Sequence, residues 1–583
     1  MNEILLKSTY RRFMAKMIVN NWMIFLGSMV NGVVISRYLG MEAMAAFQLT
    51  LPLVFAVMVF SQIISIGVQN NCAKSLGAGR PLEASAYYSA ALAAALPMSL
   101  LLAAWLWNYA EVIAVLLGGQ KGTAPLAAAY LQGIAPGLPL LLFLPMQAAV
   151  LFLTGQAKYA MRSVAVQTVM NILGALINVL YLHGGMLGMG IVMSLCYVVS
   201  LVTMFQGIRR GSACVRFLRR GWQWQQLWPV LRIGCPSAAD RFFKTVQVFV
   251  INHVLLLTAP LTAVASFAVL NSLNNIFLPI ASGISAATLT MAGVFSGEGD
   301  RESLARLLKI SLLESLPLTL LTAVMTTLAA PFLAGLFIAG EGEALEAAVT
   351  ALRIYIWYLP LYTLNNIFQK YYLGVNVLSL TYLSSVLENL LFVCLLGTIL
   401  GRVCGETGVW AAFVLAEILA LVSLLMVIAL RQGAVPCRLN DLLCLPTDIC
   451  RGAVFTGSAA NMREITHLSE SARLFLQSQK ATSREATLAA LAIEEMGGNI
   501  IRWGLGDGRK HSIDVFVRQG QALTLRIRDD CAPFDPVEWL KLHRGEDKLK
   551  NIGIRTICGM ADDVRYSRTL GLNYLLITIN RLQ

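Results

Sequence analysis

The sequence predicts a chain with two parts of different fold class. The first is an all-α polytopic membrane domain of twelve transmembrane helices in two six-helix bundles, and the second is a C-terminal α/β sandwich. Of the 583 residues, 57% are hydrophobic and only 13% are charged, whereas soluble proteins average about 25% charged residues. Apolar runs of about 20 residues, long enough to cross a bilayer core, recur as far as Leu430. After Asn461 the composition becomes that of a soluble domain.

The composition and the breaks in periodicity divide the chain into four segments. Residues 1–220 hold the first bundle and the basic connection that follows it, and residues 221–432 hold the second bundle. Residues 433–460 contain prolines and polar residues and are predicted to be a linker. Residues 461–583 form the C-terminal domain.

The twelve predicted spans follow the apolar runs. They are residues 15–36, 47–72, 86–109, 129–154, 161–182, 186–207, 236–257, 261–291, 311–337, 353–375, 378–400 and 408–431.

Basic residues set the predicted orientation. They cluster before the first span and between the sixth and the seventh: Lys7, Arg11, Arg12, Lys16, Arg209, Arg210, Arg216, Arg219 and Arg220. Loops rich in Lys and Arg stay on the cytoplasmic side, so both termini are predicted to be cytoplasmic in a multi-pass protein of the cell membrane. Residues 1–460 carry +10 of the net charge of +13, a basic excess that on a membrane domain is typical of cytoplasmic loops, and no nucleic-acid partner is expected.

The two bundles look like repeats of one another. "MEAMAAFQLTLPLVF" after the first span is similar to "LTAVASFAVLNSLNN" after the seventh, and each is followed by a long apolar helix and a Gly-containing loop, "SLGAGRPLEA" or "FSGEGDRESLARLLK". Parallel repeats of this kind are a transporter architecture, with the substrate site between the halves.

Several of these segments also resemble a known family. "NGVVISRYLGMEAMAAFQL", "GVQNNCAKSLGAGRPLEASAYYSAAL" and "RIGCPSAADRFF" are similar to segments of the multidrug and toxin extrusion (MATE) transporters, over about residues 10–432. The resemblance implies two bundles around a V-shaped cavity, and alternating access coupled to H⁺ or Na⁺. It implies export of small amphiphilic molecules, with membrane lipid as the surrounding partner.

The family's usual coupling carboxylates are missing at the positions that match. The resemblance places Asn31 where the first helix of the family carries an aspartate. It places Lys244 where some relatives carry a glutamate in the seventh helix, and Asn366 at the corresponding position of the tenth helix.

Other charged residues inside the spans are therefore the candidates for coupling, because such charges are costly and usually face a cavity or a partner. Asp240 and Lys244 are four residues apart, in the order that favours a helical ion pair. They either neutralise one another, or Lys244 provides a positive charge that favours an anionic or zwitterionic substrate. Glu388 and Glu417 have no such neighbour in sequence and lie near the middle of their spans, so we expect coupling through one of them.

The C-terminal domain is predicted to run helix, helix, strand, strand, loop, helix, strand, strand. The helices are "REITHLSESARLFLQSQ" and "SREATLAALAIEEMGGNIIRWG", which have helical apolar spacing. The hairpins are "HSIDVFVRQGQALTLRIRDD" and "DDVRYSRTLGLNYLLITIN", which alternate. Glu495 and Asn499 share one helix face, which is either a solvated polar face or a site for a metal and a phosphate.

Together these segments resemble the Bergerat-type ATP-binding domain, and most of all the anti-sigma-factor serine/threonine kinases. The resemblance implies ATP and Mg²⁺ as cofactors, Glu495 as the catalytic base and Asn499 as the magnesium ligand. It implies that Asp529 accepts from the adenine amino group and that Gly553 lies near the phosphates. Cys531 departs from the family, since it replaces the glycine of the D-x-G motif.

Two classes of function follow from these features. The first is an ion-coupled antiporter with a cytoplasmic ATP-binding domain that regulates it or acts as a serine/threonine kinase. The second is a membrane-anchored signalling kinase of the anti-sigma-factor type, whose protein partner would resemble an anti-anti-sigma factor. A flippase for lipid-linked substrates is a further option within transport. A histidine kinase is disfavoured, because His467 lies in "EITHLSESAR", which does not suggest a phosphoacceptor helix pair.

Overall fold

A computed structural model gives the architecture of the chain. It describes all residues except 211–214, 260, 339–341, 437, 447–452, 505–510, 521, 544–551 and 581–583. The chain forms a helical domain followed by a C-terminal domain built on one sheet.

Among the described residues, the first lobe of the helical domain contains seven α-helices. They are α1 (Glu3–Val34), α2 (Met41–Gly77), α3 (Pro81–Leu116), α4 (Thr123–Ile134), α5 (Leu138–Leu153), α6 (Ala157–Ile177) and α7 (Gly185–Arg210). The short turn Ala135–Gly137 joins α4 to α5, so these two helices form one pass.

The described part of the second lobe contains eight α-helices. They are α8 (Leu227–Thr258), α9 (Leu261–Glu298), α10 (Arg301–Leu328), α11 (Ala330–Gly335), α12 (Glu343–Tyr355), α13 (Tyr358–Gly374), α14 (Leu378–Val386) and α15 (Phe392–Gln432). A π-helical turn, Leu387–Leu391, continues α14 into α15.

Ten helical stretches of the described residues are long and apolar enough to cross a membrane, against twelve predicted spans. The stretch Leu378–Gln432 has 55 residues and would be about 80 Å long as one helix, roughly twice a bilayer. Its backbone breaks at Gly405, where φ is +64° and ψ is −145°, so it accounts for two predicted spans. The ten stretches therefore cover eleven of the predicted spans. The remaining predicted span, 236–257, lies in α8, which is not among the ten stretches and carries Asp240 and Lys244.

The two lobes meet closely at one end. A Cβ on Gly77 would lie 2.1 Å from the backbone oxygen of Val294, and one on Gly297 would lie 1.9 Å from that of Lys74. Glycine is therefore required at both positions for α2 and α9 to approach this closely. The C-terminal domain packs against the same end, which we call the docking end.

The C-terminal domain is a five-stranded antiparallel sheet with helices on one face. Its elements are β1 (Val454–Ala459), α16 (Met462–Ser478), α17 (Ser483–Asn499), β2 (Ile513–Gln519), β3 (Ala522–Asp529), α18 (Pro536–Leu542), α19 (Ile552–Met560), β4 (Asp563–Thr569) and β5 (Leu572–Asn580). The strand order is β1-β2-β3-β5-β4. Both predicted hairpins are present, whereas β1 lies inside the range 433–460 that we assigned to a linker, and α18 was not predicted.

Alternation along the strands assigns each residue to one face of the sheet. Leu575 and Ile577 of β5 join the core formed with α16, α17 and α19. Leu572 and Tyr574 of the same strand join the core of the helical domain. One face of the sheet therefore packs into the core of the C-terminal domain, and the other face packs into the core of the helical domain.

Candidate functional site

A cluster of buried and half-buried polar residues lies inside the second lobe, between α8, α13 and the α14–α15 region. Asp240 on α8 is its first member. Its Oδ1 accepts hydrogen bonds from Gln369 Nε2 at 3.2 Å, Ser385 Oγ at 3.2 Å and Asn389 Nδ2 at 2.8 Å. Donors from three elements thus fix the position of this carboxylate.

Lys244 lies one helical turn from Asp240 and forms the ion pair that their spacing predicts. The Nζ of Lys244 is 3.7 Å from Asp240 Oδ2 and donates to the hydroxyl of Tyr362 at 2.6 Å. Asn366 Nδ2 donates to the same hydroxyl at 3.0 Å. Asn366 is therefore connected to Lys244 through Tyr362.

Glu417 and Glu388 complete the cluster, and both are buried. Asn365 Nδ2 donates to Glu417 Oε2 at 2.7 Å. Glu388 Oε2 has no hydrogen-bond partner among the described residues, and its carboxylate lies close enough to Glu417, Lys244 and Lys370 to interact electrostatically with them. These two acids have no charged neighbour close in sequence, and it is helix packing that brings them near Lys244 of α8 and Lys370 of α13.

Asn31 lies apart from this cluster, in the first lobe. It is buried, its Nδ2 is 3.2 Å from Met193 Sδ, and its Oδ1 has no hydrogen-bond partner within the described part of the chain. The sequence did not single out Asn365 or Lys370. For Lys370 the available signal was its spacing of four residues from Asn366, which places both on one helix face; Asn365 is adjacent to Asn366 and gave no such signal.

The second candidate site lies on the helical face of the C-terminal domain. Glu495 on α17 packs against the first turn of α19: a Cβ on Gly553 would lie 1.8 Å from Glu495 Oε2. Glycine at this position therefore leaves room for the carboxylate beside the free N–H groups of a helix start. Asn499, four residues on, is the last residue of α17. Residues 544–551, which include all of "GEDKLKN", lie outside the described residues.

The paired glycines of "EEMGGN" have a packing role. A Cβ on Gly497 would lie 2.6 Å from the Cδ1 of Ile465, and one on Gly498 would lie 3.1 Å from the Cε of Met462. They allow α17 to approach α16 closely and so fix the position of Glu495 and Asn499.

Asp529 ends β3 and is held in place by neighbouring donors. Its Oδ1 accepts from the backbone N–H of Cys531 at 2.9 Å and from Asn573 Nδ2 at 2.8 Å. Burial raises the pKa of Asp529 above its ordinary value, against the lowering effect of these hydrogen bonds. Cys531 is buried beside Gly504, whose added Cβ would lie 3.0 Å from the Cys531 sulfur.

These residues fit a nucleotide with Mg²⁺. The Asp529 carboxylate has about four lone-pair sites, more than the donors of Cys531 and Asn573 occupy, so it can also accept from an adenine amino group. Asn499 offers an amide oxygen, a ligand type that Mg²⁺ accepts together with phosphate oxygens. Glu495 would lie beside the start of α19, where backbone N–H groups favour phosphate.

Comparison with protein-family models decides the family of the helical domain. Residues 17–177 and 236–399 match the model of the MatE family. The chain belongs to the MatE family. Residues 458–579 match the model of the histidine kinase-like ATPase domain, so a MatE domain and an ATPase-like domain are joined in one chain.

The fold agrees with solved structures of MATE transporters. A multidrug resistance MATE family transporter of the MOP superfamily in an outward-facing conformation is 20% identical, with a TM-score of 0.69 over 74% of this chain and 97% of its own. A MATE structure in the straight conformation gives the same values. A MOP superfamily transporter from Pyrococcus furiosus Vc1, described as having a binding pocket of reverse polarity, is 19% identical, with a TM-score of 0.67 over 74% and 97%. The comparison with curated proteins gave no match.

Proposed function

We propose that the chain is an antiporter that uses H⁺ or Na⁺ to export small amphiphilic molecules across the cytoplasmic membrane. The observation that carries this proposal is the charge of the second-lobe cluster. Inside the lobe it brings together three carboxylates, those of Asp240, Glu388 and Glu417, with two amines, those of Lys244 and Lys370, while the exposed guanidinium of Arg241 lies at its edge. Buried charge that is not balanced is strongly unfavourable, so a proton or a monovalent cation would bind there to neutralise the excess carboxylate.

Within this cluster, Glu388 and Glu417 are the proposed exchange site. Asp240 already accepts three hydrogen bonds and pairs with Lys244, whereas one oxygen of Glu388 has no hydrogen-bond partner among the described residues. A substrate that binds between the lobes would compete with the ion, because each of them changes the net charge of the cluster. The ion pair with Asp240 neutralises Lys244, so the cluster does not exclude a cationic amphiphile.

The test uses purified full-length protein in liposomes, with ethidium as a fluorescent amphiphilic probe and imposed H⁺ or Na⁺ gradients. Glu388→Gln and Glu417→Gln should abolish ion-linked ethidium movement, whereas Asn31→Ala should leave most of it. Glu111→Gln is the matched control, because Glu111 is an exposed carboxylate on α3. The proposal fails if both cluster variants transport normally while Asn31→Ala does not.

We further propose that the C-terminal domain binds ATP with Mg²⁺ on the cytoplasmic side and regulates transport without powering it. The amino terminus and the C-terminal domain lie together at the docking end, which agrees with an even number of passes and with the basic loops placed there. The sequence contains no G-x-x-x-x-G-K-[ST] motif, the usual phosphate loop of ATP-driven transporters. Export that persists in sealed vesicles without an ion gradient, in proportion to ATP consumed, would overturn this proposal.

A protein kinase activity of the C-terminal domain is the second candidate. Glu495 beside Gly553 favours it, because a general base must sit within reach of the group that it deprotonates. The test incubates full-length protein and cell extract with radiolabelled ATP and compares the parent with Glu495→Gln. A labelled protein partner that disappears with Glu495→Gln supports the kinase, and unchanged labelling excludes Glu495 as its base.

A further inference from the structure

The face of the sheet that carries no helices is the docking surface of the C-terminal domain. Asp514 and Phe516 on β2 are directly opposite Arg528 and Arg526 on β3, so these four side chains share one face. All four are buried, although an open sheet face would normally be solvated. The helical domain is what covers them.

The first lobe is gripped through backbone carbonyls. Arg526 Nη2 donates to the carbonyl oxygen of Gly77 at 3.2 Å, and Arg565 Nη1 donates to that of Gly79 at 2.9 Å. The Leu570 N–H donates to the Leu153 carbonyl at 2.8 Å. Gly77 and Leu153 end α2 and α5, where the last carbonyls have no partner within the helix.

The second lobe is gripped through charge. Arg528 Nη1 is 2.7 Å from Glu298 Oε2 and its Nη2 is 3.1 Å from Asp300 Oδ2, across the turn between α9 and α10. Arg528 Nη2 is also 2.6 Å from Asp514 of its own domain. The α-ammonium of Met1 lies 3.6 Å from Asp300. These groups are almost fully buried, so their charges are compensated mainly by one another.

Arg526 contacts both lobes at once. Besides its bond to Gly77, its Nη1 is 3.2 Å from Glu298 Oε2. From this geometry we infer that the docked C-terminal domain is a clamp that holds the two lobes closed at the docking end. The inference rests on the proposed function, because alternating access requires the lobes to separate there. When α2 and α9 part, Gly77 and Glu298 move apart, and one arginine can no longer reach both.

The end of β3 connects this clamp to the nucleotide site. Successive residues of a strand point to opposite faces, so Arg528 points to the lobes while Asp529 points to the proposed adenine site. Asp530 follows, and its Oδ2 lies 3.5 Å from Arg12 Nη2 on α1. A nucleotide that moves Asp529 must therefore also move its two neighbours, which bind the helical domain. We infer that nucleotide binding changes the strength of the clamp.

The test measures a distance across the docking end in the full chain, so it does not require transport. Spin labels carried by non-canonical amino acids replace the exposed residues Arg80 on the first lobe and Arg301 on the second. Arg526→Gln removes the contact with both lobes, and the fraction of molecules with the long, open distance should rise at least about tenfold. Arg565→Gln, which removes a contact with the first lobe only, is the matched control and should change the open fraction far less.

Glu298→Gln removes the contact between Arg526 and Glu298 from the side of the helical domain and should open the lobes like Arg526→Gln. Agreement between the two variants would show that the opening does not come from a folding defect in one of them. If both variants keep the closed distance, or if Arg565→Gln opens the lobes as much, the clamp is refuted.

A second experiment repeats the distance measurement with Mg·ATP added. It should change the open fraction of the parent and of Arg11→Gln, whereas Arg12→Gln should reduce that change by about 1.5- to 5-fold. If Mg·ATP leaves the open fraction of the parent protein unchanged, the coupling through β3 is refuted.

Discussion

Replacing Arg528 with methionine should detach the C-terminal domain from the helical domain without unfolding either one. The guanidinium is fully buried and pairs with three carboxylates, those of Glu298, Asp300 and Asp514. Removing one partner from a buried ion pair costs about 3–5 kcal/mol, because the remaining charges are left unpaired. Detachment avoids most of this cost, since Glu298 and Asp300 then regain water. The ratio of docked to undocked molecules should therefore fall by about 150- to 5,000-fold.

Hydrogen–deuterium exchange measures this change in peptides covering residues 295–303 and 513–529. Arg528→Met should speed exchange in both segments and leave the core strand β5 protected. Arg473→Met is the control, because the pair between Arg473 and Glu470 is exposed and worth only about 0–1 kcal/mol.

A compensated variant separates the loss of an attractive pair from the burial of unpaired charge. Adding Glu298→Gln and Asp300→Asn to Arg528→Met removes the unpaired charges of the helical domain, and asparagine can still cap α10. This combination should dock better than Arg528→Met alone. Unchanged exchange in Arg528→Met, or poorer docking of the combination, would refute the reasoning.

Three further outcomes are expected. Asp529→Asn should weaken Mg·ATP binding at least about tenfold, since a hydrogen bond to a charged acceptor is worth about 1.5–3 kcal/mol, and titration calorimetry would detect it; an unchanged affinity would contradict the assignment. Gly553→Ala should reduce any ATP turnover with little change in thermal stability, because the added Cβ displaces the flexible Glu495 carboxylate from 1.8 Å away; full turnover would show that the carboxylate is not needed there. Burial by itself would raise the pKa of Asp300, but the Met1 ammonium and Arg528 hold that pKa well below its ordinary value. The stabilisation of docking by Asp300 is thus fully present above about pH 4 and is lost as the pH falls further. Hydrogen exchange of the 295–303 peptides, corrected for intrinsic rates, should therefore be constant from about pH 7 to 5. Loss of docking already near pH 6 would contradict this.

Local patterns of the sequence were sufficient for the families and for most of the elements, but not for β1 and α18. Long apolar runs predicted the transmembrane helices, and the break between the last two spans coincides with Gly405, where the backbone leaves helical geometry. Strict alternation predicted both hairpins of the C-terminal domain. The strand β1 was missed because it lies in a short segment next to prolines and pairs with β2, a partner more than fifty residues away.

The sequence also determined which chemical groups were available, while only the tertiary structure decided which of them meet. The spacing of Asp240 and Lys244 predicted their pairing, since the helix repeat fixes distances between residues four apart. Nothing local placed Glu388 and Glu417 in the same cluster, because their proximity depends on the packing of helices far apart in the chain. The same holds for Arg526 and Arg528: their alternation puts them on one face of a strand, but only the packed structure supplies Gly77, Glu298 and Asp300 as their partners. A contact between residues far apart in the chain depends on how all the intervening helices and strands pack, so no short segment of the sequence predicts it.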